Sequence, residues 1–433
     1  MARFLFTVWP FAGHFFPQIA IAHALRERSH ECAFYTGIRA CKVVEDEGFQ
    51  CFPFRHVDEE QLYQVMFSQQ RGSLQWKGLF QLNTTLRKWL VDTIPQQVQD
   101  LEAVFDNWRP DVVACDPTMW APILIFYERL GIPVAVSSFV PACMLPGPDA
   151  PPFGLGLPRP NKWWTCLLAQ VVRLATDLFA VKFRRAASGL RQQYGLPPLK
   201  VSVTAYTGQM PLYLVPSAPE FDYERRDLPP SVHYVGPFIW NKPRYEAPAS
   251  WLTQLPRDQP WVHVTEGTMH VGDPFVLRAA ARGLADLPMQ VIMTTGGDRN
   301  PAELNIAPAA RNIHIVPWVS HSELLPNTDL VVTTGGAGTV LAALCAGVPL
   351  IIIPTEWDKP EIAQRVVEAG AGLRLPPNRC TPKRLRTAVE RILGEQLFKK
   401  KAQRLGNIFS RHRGAARAAE LLENLIMDRE RLK

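Results

Sequence analysis

One stretch in the second half of the chain constrains the fold more than any other. Residues 329–341 read DLVVTTGGAGTVL, so an apolar run is followed by a glycine cluster and then by helix-forming residues. This order predicts a buried parallel strand, a tight turn and the start of a helix. Backbone N–H groups at such a turn can approach an anion closely, at the positive end of the helix dipole. The stretch therefore predicts an α/β fold with a phosphate-binding turn.

A second apolar run follows at once and predicts a neighbouring strand. It spans Pro349–Ile353 and ends in the polar segment Pro354-Thr-Glu-Trp-Asp358-Lys359. Open α/β sheets bind ligands in the crevice beyond the carboxyl ends of their strands. The two strand ends are thus expected to bring a phosphate cradle and a charged pair to one crevice.

The rest of the chain repeats this alternation of short apolar runs and helical patterns. A length of 433 residues indicates two domains, and 47% hydrophobic with 20% charged residues is typical of a globular protein. Predicted strands are Phe4–Val8, Cys32–Tyr35, Cys51–Phe54, Val112–Cys115, Val134–Ser137, Trp261–Val264, Gln290–Met293 and Ile313–Val316. Prolines between Pro216 and Pro248 mark the linker. One long sheet with an insertion is the alternative.

Charge and cysteine content narrow the class of protein. The net charge is +7, but Lys and Arg are interleaved with acids, which favours a solvated basic surface over a nucleic-acid site. The eight cysteines form no zinc-binding spacing. We expect reduced thiols, with Cys32 and Cys115 buried in strands, and a cytoplasmic location. No segment is expected to cross a membrane, and the N-terminus predicts a core strand rather than a signal peptide.

Several ordered motifs together resemble family-1 nucleotide-sugar glycosyltransferases of the bacterial macrolide and natural-product type. They are Gly13-His14-Phe-Phe-Pro17, Val264-Thr-Glu-Gly-Thr268, Trp318-Val319, Gly335–Thr339, Asp358-Lys359 and Gly414-Ala-Ala-Arg417. The resemblance covers nearly the whole chain. It implies the GT-B fold, an α/β arrangement of two Rossmann-like domains facing each other across a cleft. The implied ranges are 1–220 for acceptor binding, 221–248 for the linker, 249–410 for donor binding and 411–433 for a helix that packs back on the first domain.

The resemblance also implies the catalytic pair. His14 follows the first predicted strand, and a histidine can deprotonate a hydroxyl near neutral pH. Asp116 follows the strand Val112–Cys115, where its carboxylate can orient the imidazole. Each has a plainer interpretation, since His14 could form a surface hydrogen bond and Asp116 precedes Pro117, as turn residues often do.

The resemblance to the family also implies which residues of this chain form the donor site. Trp318 matches the aromatic residue that stacks on the nucleobase, with Val319 offering backbone hydrogen bonds. Asp358 and Lys359 match the acidic residue and glutamine that hold the sugar. The residues expected around the diphosphate are Thr265, Gly267, Thr268, Thr334, Gly335, Gly336, Gly338 and Thr339.

Four positions depart from the family pattern. Thr334 stands where the family has a histidine, Ala342 where it has a ribose-binding glutamate, and Lys359 where it has glutamine. Glu266 replaces an apolar residue, as either a cleft acid or a salt-bridged wall residue. Lys359 would suit a carboxylate on the donor sugar or a phosphate, or pair with Glu356 or Glu361. The nucleotide, uridine or thymidine diphosphate, therefore stays open.

These features predict an inverting transferase that moves a sugar to a hydroxyl of an apolar polyketide, phenolic or similar acceptor. The aromatic and apolar residues that suggest such an acceptor are Trp76, Phe80, Trp89, Trp120, Phe139 and Met144, each of which alone fits the core as well. No Asp-x-Asp motif occurs, so we expect neither a metal nor a cofactor besides the nucleotide sugar. A transferase on membrane lipids, docked around Trp163-Trp164, and a non-catalytic nucleotide-sugar binder are the alternatives. Peripheral membrane contact and the choice between monomer and homodimer stay open.

Overall fold

The computed structural model describes residues 1–67, 84–240, 250–268, 272–297, 299–304, 306 and 310–431. Two separate parallel sheets, each flanked by helices, organise this part of the chain. The two-domain α/β prediction is confirmed, and the alternative of one continuous sheet is wrong.

The first sheet has seven parallel strands in the order β3-β2-β1-β4-β5-β6-β7. They are β1 Arg3–Thr7, β2 Glu31–Thr36, β3 Gln50–Pro53, β4 Val112–Cys115, β5 Val134–Ser137, β6 Leu212–Val215 and β7 Val232–Tyr234. The strand order reverses at β1, because β2 and β3 lie on one side of it and β4 to β7 lie on the other. Strands β1 and β4 pair so that Thr7 lies beside Cys115. The carboxyl ends of these two strands therefore meet at the switch point where such sheets bind ligands.

The helices of the first half cover both faces of this sheet. They are α1 Ala12–Glu27, α2 Ile38–Asp46, α3 Glu59–Phe67, α4 Ile94–Trp108, α5 Tyr127–Leu130, which continues a π-helical turn at Pro122–Phe126, α6 Trp163–Gln193 and α7 Val203–Thr207. Residues 84–90 are also helical. Helix α1 begins at Ala12, so His14 lies in its first turn and Pro17 lies inside the helix.

The second sheet has six parallel strands in the order β10-β9-β8-β11-β12-β13. They are β8 Trp261–Thr265, β9 Gln290–Thr294, β10 Ile313–Val316, β11 Leu330–Thr333, β12 Leu350–Ile352 and β13 Gly372–Arg374. The switch point falls between β8 and β11, and β12 lies on the other side of β11. The glycine-rich turn that follows β11 therefore lies between the turn after β8 and the polar segment after β12.

The helices that cover the second sheet complete the fold. They are α8 Phe275–Gly283, α9 His321–Leu324, α10 Ala337–Cys345, α11 Lys359–Glu368, α12 Pro382–Gly394, α13 Gln396–His412 and α14 Ala415–Arg431, with 3₁₀ turns at Ser250–Gln254, Pro301–Leu304, Leu325–Asn327 and Pro377–Arg379.

Helix α14 returns to the first half of the molecule. Its residues Ala418 and Leu422 are fully buried in the core that also contains Phe4 and Phe6 of β1. Glu423 of α14 accepts hydrogen bonds from Arg28, just after α1, and contacts the His30 ring at 2.6 Å. Apolar burial and these charged contacts together fix the helix on the first sheet.

Two details differ from the sequence predictions. Val232–Tyr234 lies within the predicted linker 221–248 but forms β7, because its backbone pairs with β6. Cys41 and Cys51 form a disulfide between α2 and β3, whereas reduced cysteines were expected. The expected burial of the Cys32 and Cys115 thiols in strands is confirmed.

Candidate active site

A cavity of about 550 Å³ lies where the carboxyl ends of both sheets meet. Its walls come from the two halves of the chain, including His14 and Phe139 on one side and Trp318, Gly336 and Asp358 on the other. The lining is mainly apolar with a few polar groups, as is usual for small-molecule sites.

His14 and Asp116 are in contact although 102 positions separate them in sequence. The His14 Nδ1 lies 2.6 Å from the Asp116 Oδ2, because α1 follows β1 and Asp116 follows the adjacent β4. The histidine lines the cavity, while the aspartate is fully buried behind it. With the proton on Nδ1 donated to Asp116, the His14 Nε2 keeps a free lone pair, as a general base requires.

Further contacts hold this pair in place. The other oxygen of Asp116, Oδ1, accepts from the Thr118 backbone N–H at 2.8 Å and from its hydroxyl at 2.6 Å. The Phe139 ring lies against the His14 ring, with a centroid separation of 3.7 Å. Both the carboxylate and the imidazole are therefore restricted to one orientation.

The turns after β8 and β11 are built alike. At the end of β8, the Thr265 hydroxyl accepts from the Gly267 N–H at 3.2 Å, and at the end of β11 the Thr333 hydroxyl accepts from the Gly335 N–H at 3.4 Å. The Thr334 hydroxyl joins the two turns, because it donates to the backbone oxygen of Glu266 at 2.9 Å. The hydroxyl proton of Thr334 is thus bonded within the protein, while the residue still lines the cavity.

Helix α10 points its N-terminus into the cavity. Gly336 precedes the helix, and Gly338 and Thr339 line the cavity with it. Gly335 does not line the cavity. It is buried beneath the turn with φ of +99°, and a β-carbon there would lie 2.7 Å from the Ile352 Cγ2. The helix dipole and the unpaired first-turn N–H groups favour an anion at this place.

Trp318 and Val319 follow β10 and form the outer wall of the cavity. Trp318 is 46% exposed, whereas Val319 is buried in a small apolar cluster. His321 also lines this wall, and burial lowers its pKa. Sequence reasoning missed His321, and its position three residues after Trp318 was the available signal.

Asp358 and Lys359 lie at the inner end of the cavity, as predicted from the neighbouring strand ends. Burial raises the pKa of Asp358, and the charges of Lys359 and His14 offset this in part. Burial lowers the pKa of Lys359 against the opposing charges of Asp358, Glu356 and Glu266. The Lys359 ammonium donates to the Thr355 hydroxyl at 3.0 Å. A buried lysine and a half-buried carboxylate therefore adjoin the general-base candidate.

The open questions about two glutamates have clear structural answers. Glu266 forms a salt bridge to Arg299 at 2.8 Å and accepts from the Val276 N–H at 3.0 Å, so it is a salt-bridged wall residue. Glu361 pairs with Arg365 of the same helix rather than with Lys359. The charge of Glu356, by contrast, does act on Lys359.

The acceptor side of the cavity is apolar. Of the residues suggested by sequence, Trp89, Phe139 and Met144 line it, Trp120 lies in the core, and Trp76 and Phe80 lie outside the described residues. Lining residues that sequence reasoning missed are Phe11, Phe16, Met66, Leu86, Leu90, Phe153, Phe238, Ile239, Trp240 and Trp357. Their apolar character gave no signal that separates a cavity wall from a core.

Among the described residues, no group of three or more His, Cys, Asp or Glu side chains is arranged to hold a metal ion. No helix in the described part of the chain is long and apolar enough to span a membrane.

The fold and cavity define the class of protein. Two parallel sheets that meet at a cleft form the GT-B architecture of nucleotide-sugar glycosyltransferases. The calicheamicin glycosyltransferase CalG4 superposes on the chain with a TM-score of 0.73 and 21% identity, over 99% of each chain. The likeness supports the same overall fold.

Sequence comparison shows the family. Residues 280–423 match the erythromycin biosynthesis protein CIII-like C-terminal domain. The chain is 32% identical to 4'-demethylrebeccamycin synthase of Lentzea aerocolonigenes, over 98% of this chain and 100% of the relative. It is 27% identical to demethyllactenocin mycarosyltransferase of Streptomyces fradiae, over 98% of this chain and 87% of the relative. The chain belongs to the family-1 nucleotide-sugar glycosyltransferases of the bacterial natural-product type.

Proposed function

We propose that this enzyme transfers a sugar, with inversion, from a nucleoside diphosphate sugar to a hydroxyl of an apolar natural product. The observation that carries the proposal is the 2.6 Å contact between His14 and Asp116 at the wall of a cavity that also receives the N-terminus of α10. A base and an anion site facing the same space are what a single displacement requires.

In the proposed reaction, the His14 Nε2 takes the proton of the acceptor hydroxyl while Asp116 stabilises the imidazolium. The acceptor oxygen forms a bond to the anomeric carbon, and the bond from that carbon to the diphosphate oxygen breaks with its electron pair. The nucleoside diphosphate leaves toward Thr268, Gly336 and the first turn of α10. No additional reactant is needed for the atoms and charges to balance.

The donor and acceptor sides are assigned by their lining. In this proposal Trp318, which is partly exposed at the cavity wall, stacks on the nucleobase, and Asp358 with Lys359 contacts the sugar. Trp89, Phe139 and Met144 leave an apolar space for the acceptor beside His14. The two relatives described above carry the names of 4'-demethylrebeccamycin and demethyllactenocin, and an apolar natural product is the acceptor that we propose for this lining.

A nucleotide screen followed by a transfer assay tests the proposal. Uridine and thymidine diphosphates should raise the unfolding temperature, since a ligand of the native state stabilises it. Wild-type protein and His14→Ala are then incubated with the matching glucose donors and a panel of hydroxylated apolar acceptors. Product from the wild type, and far less from the variant, supports the proposal. Stabilisation by nucleotide with no transfer by either protein would favour a non-catalytic binder instead.

A further inference from the structure

Helix α6 exposes an apolar stripe along its N-terminal half. Trp163 is 80% exposed, Leu174 is 68% exposed and Leu178 is 75% exposed, which are high values for large apolar side chains. The stripe consists of Trp163, Trp164, Leu167, Leu168, Val171, Leu174, Ala175 and Leu178. At 100° per residue these positions fall within one continuous arc of the helix, about 140° wide. Its length is about 23 Å, at 1.5 Å per residue.

The stripe is not needed for packing within the chain. In this half of α6 the buried residues are Thr165 and Ala169, which lie on the opposite side. The C-terminal half instead uses Phe183, Ala187 and Leu190 to pack on the core of the first domain. Apolar area of this size, left exposed on one face, marks an interaction surface.

The charges of α6 favour an anionic partner. Its basic residues are Arg173, Lys182, Arg184, Arg185 and Arg191, against the single acidic residue Asp177. Arg191 is buried in a salt bridge to Glu128 and does not contribute to the surface charge. Lys182 and Arg185 are exposed and continue the stripe on the same face, about one and two turns beyond Leu178. Asp177 lies at the flank of the stripe rather than within it.

We propose that this face of α6 docks onto the surface of an anionic lipid bilayer. A helix with a Trp- and Leu-rich face and adjoining basic residues lies flat in the membrane interface. Tryptophan favours this region because its ring is apolar and its N–H is polar. Lys182 and Arg185 would meet the acidic headgroups while the stripe enters the upper acyl region. The proposal does not depend on the reaction proposed above.

A second copy of this chain is the competing occupant. Trp164, Leu167, Val171, Leu174 and Leu178 follow the spacing of a coiled-coil seam. The apolar face is wider than such a seam, however, because Trp163, Leu168 and Ala175 extend it on both sides. In a parallel pair, Lys182 and Arg185 of the two copies would also face each other and repel. An antiparallel pair would avoid this repulsion, so the width of the apolar face is the point that favours a bilayer.

Vesicle co-sedimentation tests the proposal. The full-length protein is mixed with phosphatidylcholine vesicles, with and without phosphatidylglycerol, at low and moderate salt. We expect binding to the anionic vesicles that weakens with salt. Lys182→Glu with Arg185→Glu should lower the partition coefficient by at least about fivefold per basic residue. Leu174→Asp with Leu178→Asp should abolish binding.

Matched variants away from the stripe serve as controls. Leu397→Asp replaces an equally exposed leucine on α13, and Lys383→Glu with Arg384→Glu reverses two exposed charges on α12. Both should bind vesicles as the wild type does. Nucleotide binding and the unfolding temperature of every variant are measured to show that it is folded.

The oligomeric state of the same proteins is measured by analytical ultracentrifugation. A monomer that binds anionic vesicles through the stripe supports the proposal. Failure of the wild type to bind anionic vesicles would overturn it. A dimer that Leu174→Asp with Leu178→Asp converts to a monomer, without vesicle binding by the wild type, would assign the face to a second copy.

Discussion

The imidazole of His14 has two constraints, the Asp116 carboxylate at 2.6 Å on Nδ1 and the Phe139 ring against its face. If the ring acts as the general base, His14→Ala should lower turnover by about 10²–10⁴-fold. Binding of nucleoside diphosphate should change little, because the histidine faces the acceptor side. Asp116→Asn should act in the same direction but less severely. Steady-state kinetics and calorimetry measure the two effects, and wild-type turnover in His14→Ala would refute the assignment.

The half-exposed ring of Trp318 gives a second prediction at the residue scale. Trp318→Ala removes a stacking face from the donor side, so affinity for uridine and thymidine diphosphates should fall. Affinity for an acceptor should fall far less. Calorimetric titration measures both. Val319 and Leu324 belong to the buried apolar cluster next to Trp318. An unchanged unfolding temperature of the variant would show that this packing is intact. Equal nucleotide affinity in variant and wild type would make Trp318 a packing residue only.

Ala342 bears on the choice of nucleotide. Its side chain lines the cavity from α10 and offers no polar group to a ribose hydroxyl. A site without a hydrogen-bond partner for a hydroxyl discriminates weakly against its absence. Thymidine donors should therefore be used at least as well as uridine donors, with kcat/KM values within about tenfold, or about 1.4 kcal/mol.

The variant Ala342→Glu restores the carboxylate and should shift preference toward uridine donors. Competition between the two nucleotide sugars measures the shift, and Ala342→Gln gives a control of equal size. Rejection of thymidine donors by several orders of magnitude in the wild type would show that another residue reads the ribose.

At the scale of elements, the turn between β11 and α10 depends on Gly335. A side chain there would be strained at φ of +99° and would approach Ile352 too closely. We expect Gly335→Ala to lower the free energy of unfolding by about 1–3 kcal/mol and to weaken nucleotide binding. Gly338→Ala is the control for stability, because Gly338 lies inside α10 with open space around it. Equal stability of the two variants, by urea unfolding, would contradict the role of Gly335.

At the scale of the whole molecule, a buried ionic cluster joins the two domains. Arg365 of α11 bonds to Asp222 at 2.7 Å and to Glu361, and Glu361 accepts from the Gly156 N–H at 3.0 Å. Asp222 lies between β6 and β7, and Gly156 belongs to the loop before α6. The helix that begins at Lys359 is thereby fixed to the domain that carries His14.

Removing one partner of this cluster should be costly. Arg365→Met leaves two buried carboxylates without their cation and should lower the free energy of unfolding by about 3–5 kcal/mol. Glu390→Gln, in an exposed pair with Arg386, is the control and should change it by less than about 1 kcal/mol. Denaturant unfolding measures both, and similar values would contradict the linking role of the cluster.

The same cluster predicts a dependence on acid. Burial disfavours the charged form of Asp222, but Arg365 and three hydrogen bonds outweigh it, so its pKa lies below the usual 3.8. The ion pair therefore contributes fully above about pH 4, and its contribution is lost as the pH falls through the lowered pKa. In Asp222→Asn, the free energy of unfolding should decrease less steeply than in the wild type as the pH falls. The two slopes should differ by up to about 1.4 kcal/mol per pH unit. An unchanged slope would contradict this.

Much of the fold could be read from the chain because it depends on local patterns. The strands β4, β5 and β10 were predicted with their exact ends. For β4 and β5 the reason is that a fully buried parallel strand is a short run of mostly apolar residues. The strand β7 was missed, because the prolines and polar residues that flank it resemble a linker, and only pairing with β6 makes it a strand.

For the site, the sequence by itself determined which residues follow which strand. His14 after β1, Asp116 after β4 and the glycine turn after β11 were all identified, because turn chemistry and family motifs are local. Only the tertiary structure decided what these residues contact: the pairing of β1 with β4 brings His14 to Asp116, and the turn geometry commits Thr334 to Glu266. It also decided which apolar side chains line a cavity and which fill the core. Hydrophobicity is the same in both places, and only packing distinguishes them.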